Sequence, residues 1–278
     1  MMTETSDLKS SVKAHWERET CGTRYSSDDD RVAYFTQITE ARYRLEPYIP
    51  PFADFASAAG KQILEIGVGA GSDFENWCRY AAHATGVDLT NAAIDLTGER
   101  LSLRGVSSDR YDLRTADAEA LPFEAGTFDI VYSWGVLHHT PNTPAAMREV
   151  ARVLKPGGQF RGMIYHSPSW TGWMLGFEYM VRKRKLWFSP TRAVGELLES
   201  PGTKVYSLRQ ARALLAAAGF PEADVRSNLA PGDLLTVQPS ERYQGRIMRT
   251  LWRLYPRPVI RLIGDRFGTN LLMTATKP

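Results

Sequence analysis

The apolar run Gln62–Ile66 breaks abruptly into Gly67-Val68-Gly69-Ala70-Gly71 and then into a helix-forming stretch that reaches about Tyr80. Glycines at 67, 69 and 71 let the backbone turn sharply and approach a ligand closely, where a Cβ would collide. A glycine turn between a strand and a helix commits the chain to βα order and suits a nucleotide-type guest. The NAD fingerprint GxGxxG sets its third glycine three residues after the second, whereas here the spacing is GxGxG. No GxxxxGK(S/T) phosphate loop is present. Glu65, beside the turn, would repel a pyrophosphate but can accept a hydrogen bond from an ammonium group or from water bound to it.

The strand and helix rhythm continues on both sides of this turn. Strands are expected at Ala84–Asp88, Arg110–Arg114, Phe128–Tyr132 and Gln159–Tyr165, with helices over Asn91–Leu103 and Pro144–Val153. Lys155-Pro156-Gly157-Gly158 reads as the turn into the fifth strand, and the five strands fit a parallel sheet with crossover helices. A helix over Ser207–Ala218, a sixth strand near Ala223–Leu229 and a last one at Asn270–Thr276 would complete it. The expected fold class is therefore α/β, a doubly wound, mostly parallel, Rossmann-like sheet carrying helical cap insertions. The segments fall at 1–60 (N-terminal lid and helices), 61–166 (cofactor-binding core), 167–222 (helical cap) and 223–278 (completion of the sheet with a basic helical insertion).

Two further acids stand at strand ends. Asp88 closes the second strand, where it can accept hydrogen bonds from both ribose hydroxyls; the alternative is an exposed loop acid. Asp117, in Ala116-Asp117-Ala118-Glu119, follows the third strand and could accept from an adenine amino group. Glu65, Asp88 and Asp117 thus match an amino-acid cation, a ribose and an adenine in chain order.

On these blocks, together with Phe128-Asp129-Ile130-Val131 and Arg152-Val153-Leu154-Lys155-Pro156-Gly157-Gly158, the chain resembles the class I S-adenosylmethionine-dependent methyltransferases, in particular the small-molecule, type 11-like branch. The resemblance covers roughly residues 60–166. It implies a seven-stranded sheet whose last strand is antiparallel, with S-adenosyl-L-methionine as cofactor across the C-terminal edges of the first strands. It places Glu65, Gly67, Gly69 and Gly71 along the methionine part, Asp88 and Leu89 at the ribose, Asp117 and Ala118 at the adenine, and Ser133 beside the methionine.

Ser133-Trp134-Gly135-Val136-Leu137-His138-His139-Thr140-Pro141 follows the fourth strand, which makes it pocket-forming by position. If it is extended, adjacent side chains point to opposite sides, so His138 and His139 would not share a metal ion. No metal is expected, since His15, His83 and His166 show no ligand spacing either. One of the pair reads as a base or hydrogen-bond partner for the acceptor, or both simply pack the turn. Tyr165 and His166 end the fifth strand and, with Tyr25 and Trp134, are candidates for the substrate pocket. Thr203 and Lys204, in Glu199-Ser200-Pro201-Gly202-Thr203-Lys204, could cradle an anion or form a plain turn.

Residues 1–30 are polar and end in Ser26-Ser27-Asp28-Asp29-Asp30, an N-cap signal for a helix over 31–45. Trp16, Cys21, Arg24 and Tyr25 make the segment a candidate lid; an unordered tail is the alternative. The cap contributes Trp170, Trp173, Phe177, Tyr179, Trp187 and Phe188, which either line an apolar pocket or pack, and the basic run Arg182-Lys183-Arg184-Lys185. Arg242, Arg246, Arg249, Arg253, Arg257 and Arg261 form a helically spaced stripe in 241–265, a solvated face or a weak contact for an anionic membrane surface.

A net charge of +3 with 43% hydrophobic and 23% charged residues describes a soluble globular chain and falls short of a nucleic-acid signature. The only cysteines, Cys21 and Cys78, make no disulfide framework, and no run of about 18 apolar residues occurs, so a cytoplasmic home is expected. The expected activity is methyl transfer to a small organic acceptor, in secondary metabolism, with an optional histidine base. The alternatives are an RNA or other nucleic-acid methyltransferase, disfavoured because Ser133-Trp134-Gly135-Val136 stands where an NPPY-type tetrapeptide would be, and a non-catalytic S-adenosylmethionine-binding module.

Overall fold

A computed structural model describes residues 2–183, 189, 191, 200–236 and 255–278. Trp187, Phe188, Arg184, Lys185 and Glu199 of the cap, and Arg242, Arg246, Arg249 and Arg253 of the stripe, lie outside the described residues.

Helices are numbered along the described residues. The chain opens with α1 (Met2–Arg18), α2 (Arg31–Leu45) and the short α3 (Ile49–Ala53), then enters β1 (Gln62–Ile66), α4 (Ser72–Tyr80), β2 (His83–Asp88), α5 (Asn91–Leu103) and β3 (Tyr111–Thr115). It continues through β4 (Phe128–Trp134), α6 (Thr143–Val153), β5 (Leu154–Tyr165), α7 (Trp170–Lys183), α8 (Leu208–Ala218), β6 (Asp224–Asn228), α9 (Arg257–Ile263) and β7 (Asn270–Thr276). The seven strands lie in the order β3-β2-β1-β4-β5-β7-β6, and β7 runs antiparallel to both neighbours. The chain order reverses between β1 and β4, so the loops leaving these two strands diverge and open a crevice at their C-terminal ends.

Alternation along each strand feeds two buried faces. Leu64, Ile66, Val131 and Phe160 meet Met147 and Val150 of α6 and Ala211 and Leu215 of α8. Ile63, Ile130 and Tyr132 meet Phe52 of α3, Phe74 and Trp77 of α4 and Leu101 of α5. The helix Leu208–Ala218, grouped with the cap in sequence, thus packs on the sheet because Ala211 and Leu215 fall on one face. Its start is fixed by a capping box between Ser207 and Gln210. Within the stretch 26–30 that signalled the second helix, the N-cap is Asp30, whose Oδ1 accepts from the N–H groups of Val32 (2.8 Å) and Ala33 (3.3 Å).

One alternative falls away and one strand boundary moves. Residues 2–18 form a helix rather than a tail, because Leu8, Val12 and Trp16, four residues apart, share one face and Val12 is buried. The fifth strand begins at Leu154, pairing with Phe128 across a register irregularity before Gln159 takes up Ile130. Asp233, fully buried in the turn after β6, accepts from the backbone and hydroxyl of Thr171 and of Thr269 and from Ala230 N–H, tying α7 to the start of β7. Trp170 and Trp173 pack against Phe267, with ring centroids 5.9 and 5.0 Å away, so these two cap aromatics serve packing.

Gly86 sits where β2 is crossed by neighbouring side chains: a Cβ there would lie 2.7 Å from Leu113 Cδ2 and 2.8 Å from Phe74 and Val68. Gly86→Ala is expected to cost about 1–3 kcal/mol of stability through overpacking. A fall in the urea midpoint at unchanged m-value checks it.

Candidate functional site

The glycine turn is held open by its neighbours. Gly67 and Gly71 have φ of +85° and +75°, which an L side chain rarely adopts. A Cβ on Gly67 would also lie 2.1 Å from Val136 Cγ2, in the loop after β4. The carbonyls of the turn are gripped from α5: Thr97 Oγ1 donates to Gly69 O (3.0 Å) and the buried Arg100 donates through Nη1 to Ala70 O (3.0 Å). Arg100 also pairs with Glu75 at 2.8 Å. From the other side the turn at Cys21 covers Gly69, whose Cβ would lie 3.4 Å from Cys21 O.

Around this turn the acids have different partners. Glu65 is 3% exposed, and its Oε2 has no hydrogen-bond partner among the described residues. Burial, reinforced by Asp73 and Asp88 and opposed by Arg42, pushes its pKa well above the carboxylate range. Asp73, equally buried, is answered by the Arg42 guanidinium and by the hydroxyls of Tyr43 and Tyr132, each at 2.9 Å. Asp88 accepts through Oδ1 from Thr90 N–H (3.0 Å) and Oγ1 (2.8 Å), and through Oδ2 from Gly69 N–H (3.3 Å), with Leu89 half-buried beside it. Asp117 accepts from Lys9 Nζ at 2.5 Å, and Lys9 also reaches Glu119 at 2.9 Å. Burial opposes the Lys9 charge, but these hydrogen bonds outweigh it and raise its pKa. Ala118 is buried in the core next to Asp117. Ser133 spends its hydroxyl on Ile66 O (3.0 Å), bracing β4 against β1.

The two histidines do not lie on an extended segment. Leu137–His139 forms a single 3-10 turn, which brings the His138 and His139 rings to 4.1 Å between centroids. His138 is fully buried, lies 4.2 Å from the Tyr165 ring, and finds no hydrogen-bond partner for Nδ1 or Nε2 among the described residues. Burial first, then His139 and Lys204, push its pKa well below the usual imidazole value. His139 meets Ser200 Oγ (2.9 Å) and Thr203 Oγ1 (3.0 Å) through Nδ1, and Trp16 of α1 stands edge-on at 5.4 Å. Among the described residues no three His, Cys, Asp or Glu side chains form a metal-holding group.

Trp134 packs against Tyr48 and Phe52, on the same side of the sheet as Glu65, and its buried Nε1 has no hydrogen-bond partner among the described residues. Three candidates are placed differently. His166 is structural: its ring donates from Nδ1 to Gly268 O (2.8 Å) and its backbone N–H to Thr269 O (2.6 Å). Tyr25 lies half-buried on the turn after α1, its hydroxyl accepting from Arg24. Thr203 and Lys204 do not cradle an anion, since Thr203 faces His139 and Lys204 Nζ donates to Thr140 O (2.5 Å). Sequence reasoning missed Lys9, Leu8, Arg42 and Ser200; only the four-residue spacing of Leu8, Val12 and Trp16 signalled the first two.

The residues fit the expected cofactor. A buried carboxylate oxygen without a partner suits a cationic ammonium, and the glycine turn leaves backbone where side chains would intrude.

Comparison with known proteins agrees. Residues 64–161 match the model of a methyltransferase domain family. The chain is 37% identical over 97 residues to a sterol 4-C-methyltransferase of Caenorhabditis elegans, covering 35% of this chain and 29% of that one. It is 34% identical over 130 residues to the ubiquinone biosynthesis O-methyltransferase of Aromatoleum aromaticum, covering 46% and 54%. Against these relatives it therefore spans about half of their length or less. Among solved structures, geranyl diphosphate C-methyltransferase from Streptomyces coelicolor, in complex with Mg2+, geranyl diphosphate and S-adenosyl-L-homocysteine, superposes with a TM-score of 0.63 at 14% identity over 98% of each chain. The cyclase SpnF superposes with a TM-score of 0.56 at 19% identity over 100% of this chain and 94% of that one.

A carboxyl whose folded-state pKa is raised adds most to stability at low pH and loses that contribution as pH rises through the folded value. Without ligand, Glu65→Gln is therefore expected to melt higher than wild type at pH 8, the gap closing towards pH 4. Thermal melts of both proteins across that range check it.

Proposed function

We propose that this chain, whose residues 64–161 form a class I S-adenosylmethionine-dependent methyltransferase domain, transfers a methyl group to a small organic acceptor in secondary metabolism. The observation that carries the reading is the buried, unpartnered Glu65 Oε2 beside a glycine turn that Val136 closes from the acceptor side. When bound, S-adenosyl-L-methionine supplies a methyl group already activated on a sulfonium, so the protein chiefly aligns an acceptor and excludes water.

In this reading Glu65 receives the ammonium and Asp88 the ribose, while backbone at Gly67 and Gly69 makes the close approach. Asp117 stands at the adenine end, where Lys9 holds it. His138, Trp134 and Tyr165 form the acceptor wall, and a proton leaving the acceptor goes to a histidine, a contribution of about 10²–10⁴ in rate where the acceptor needs a base. Relatives named for sterol and ubiquinone chemistry favour a small, apolar acceptor over RNA. The likeness to a cyclase keeps the fold from deciding the reaction, so turnover is the point to test.

The test is a screen with methyl-labelled cofactor against pools of small molecules and against RNA. Label in a small molecule supports the proposal; label only in RNA, or none at all with the cofactor bound, overturns it. Asp88→Asn is expected to weaken S-adenosyl-L-methionine about 10- to 100-fold in calorimetry, the loss of hydrogen bonds to a charged acceptor.

Among the described residues no helix is long and apolar enough to cross a membrane. A weak contact of the 241–265 segment with an anionic membrane surface is part of the proposal, supported by Val259, Leu262 and Ile263, which α9 exposes beside Arg261. Arg257 is not part of that surface, because it donates to Leu234 O (2.8 Å). The chain is expected to sediment with phosphatidylglycerol vesicles but not with phosphatidylcholine vesicles, and Leu262→Glu is expected to abolish the difference.

A further inference from the structure

The turn Ser200-Pro201-Gly202-Thr203 is built onto the histidine loop from three sides. Lys204 donates its backbone N–H to His138 O (3.0 Å) and its Nζ to Thr140 O (2.5 Å), so the turn is registered against the backbone that carries both histidines. Within the turn, Thr203 N–H reaches Ser200 O at 3.3 Å. Gly202 has φ of +76°, and a Cβ there would lie 2.8 Å from Leu8 Cδ1, so α1 packs where the side chain is missing. Ser200, Thr203 and His139 are 1%, 6% and 4% exposed, so bulk water does not compete for the hydrogen bonds among them.

The position of one proton decides what this arrangement does. Thr203 has a single hydroxyl hydrogen, and its Oγ1 lies 2.7 Å from Ser200 O in donating geometry. Once that hydrogen is spent on the carbonyl, Thr203 Oγ1 can only accept from His139 Nδ1, 3.0 Å away. Ser200 Oγ, at 2.9 Å from Nδ1 and 3.4 Å from Thr203 Oγ1, accepts from the same N–H and can turn its own hydrogen towards Thr203. The opposite tautomer would accept from the Ser200 hydroxyl alone and would set the Nδ1 lone pair against a Thr203 oxygen whose hydrogen is already spent, whereas Nδ1–H is accepted by both oxygens.

We propose that Thr203 and Ser200 are positioning residues that hold His139 as its Nδ1–H tautomer, so that Nε2 carries the lone pair and takes the proton of the methyl acceptor. The inference rests on the methyl-transfer reading for its catalytic half only. In the balanced step the acceptor atom bonds the methyl carbon, and the methyl–sulfur electron pair stays on sulfur. The acceptor's proton passes to Nε2, and Nδ1–H remains on Thr203 until water removes the extra proton. A hydroxyl thus does for His139 what a carboxylate does for the base in many hydrolases: it selects the tautomer and fixes the ring.

The test is two-bond ¹H–¹⁵N correlation on the full chain labelled in histidine, with His139 assigned by its loss in His139→Gln. The expected spectrum gives His139 the Nδ1–H pattern. Thr203→Val is expected to shift it towards Nε2–H or a mixture, Thr203→Ser to restore it, and S-adenosyl-L-methionine affinity to stay within about 2-fold in both. An Nε2–H pattern in the wild type, or an unchanged pattern in folded Thr203→Val, overturns the proposal; where that variant fails to fold, Thr203→Ala, which also removes the hydroxyl, is read in the same way. With an acceptor from the labelled-methyl screen, Thr203→Val is expected to lower kcat about 10- to 100-fold with KM within about 3-fold, and an equal kcat would overturn the catalytic half. If the screen labels nothing, the methyl-transfer reading fails while the spectrum still decides the tautomer.

Discussion

The contact between Gly67 and Val136 is the constraint on which the rest of the site depends. With no Cβ at position 67, Val136 can sit where that atom would be, and the loops leaving β1 and β4 close on each other across the point where strand order reverses. Val136 directly precedes the turn carrying His138 and His139, so the same contact that shapes the cofactor side also places the histidines. Ser133 reinforces it from below by bonding Ile66 O, and Arg100 reinforces it from behind by holding Ala70 O. Sheet topology supplies the crevice, and one absent methyl group sets its width.

The site also separates two buried carboxylates, Glu65 and Asp73. Asp73, on α4, has a guanidinium and two phenolic hydroxyls, so its oxygens are met within the protein. Glu65, on the neighbouring strand, shares the Arg42 field but leaves one oxygen unanswered. A buried carboxylate answered inside the fold acts as structure, whereas one left unanswered is a place for a cation.

How much of this was legible follows from what each element depends on. β1, β2 and β7 could be read to within a residue because apolar alternation and a glycine or polar stop coincide at their ends. Glu65, Asp88 and Asp117 could be read because strand ends fix their place. The state of the histidines could not: a 3-10 turn and an extended segment share the same residues, and only packing of Val136 and Leu137 decides between them. His166 and Thr203 were ambiguous for a related reason. Their partners, Gly268 O and His139 Nδ1, are 102 and 64 residues away, and no local pattern encodes them. The first helix was obscured by its many polar residues, although Leu8, Val12 and Trp16 carry its one apolar stripe.

The fully buried His138 ring has a consequence for which molecules the proposed acceptor wall would admit. The described residues provide neither of its nitrogens with a partner, and an unmet buried polar group costs about 1–3 kcal/mol. Water can answer that deficit, and so can a guest that brings a donor or an acceptor of its own; a hydrocarbon surface cannot. In the proposed reading His138, beside the rings of Trp134 and Tyr165, would act as a solvation filter: greasy molecules would be drawn to the wall, and those with one well-placed polar atom would be held there.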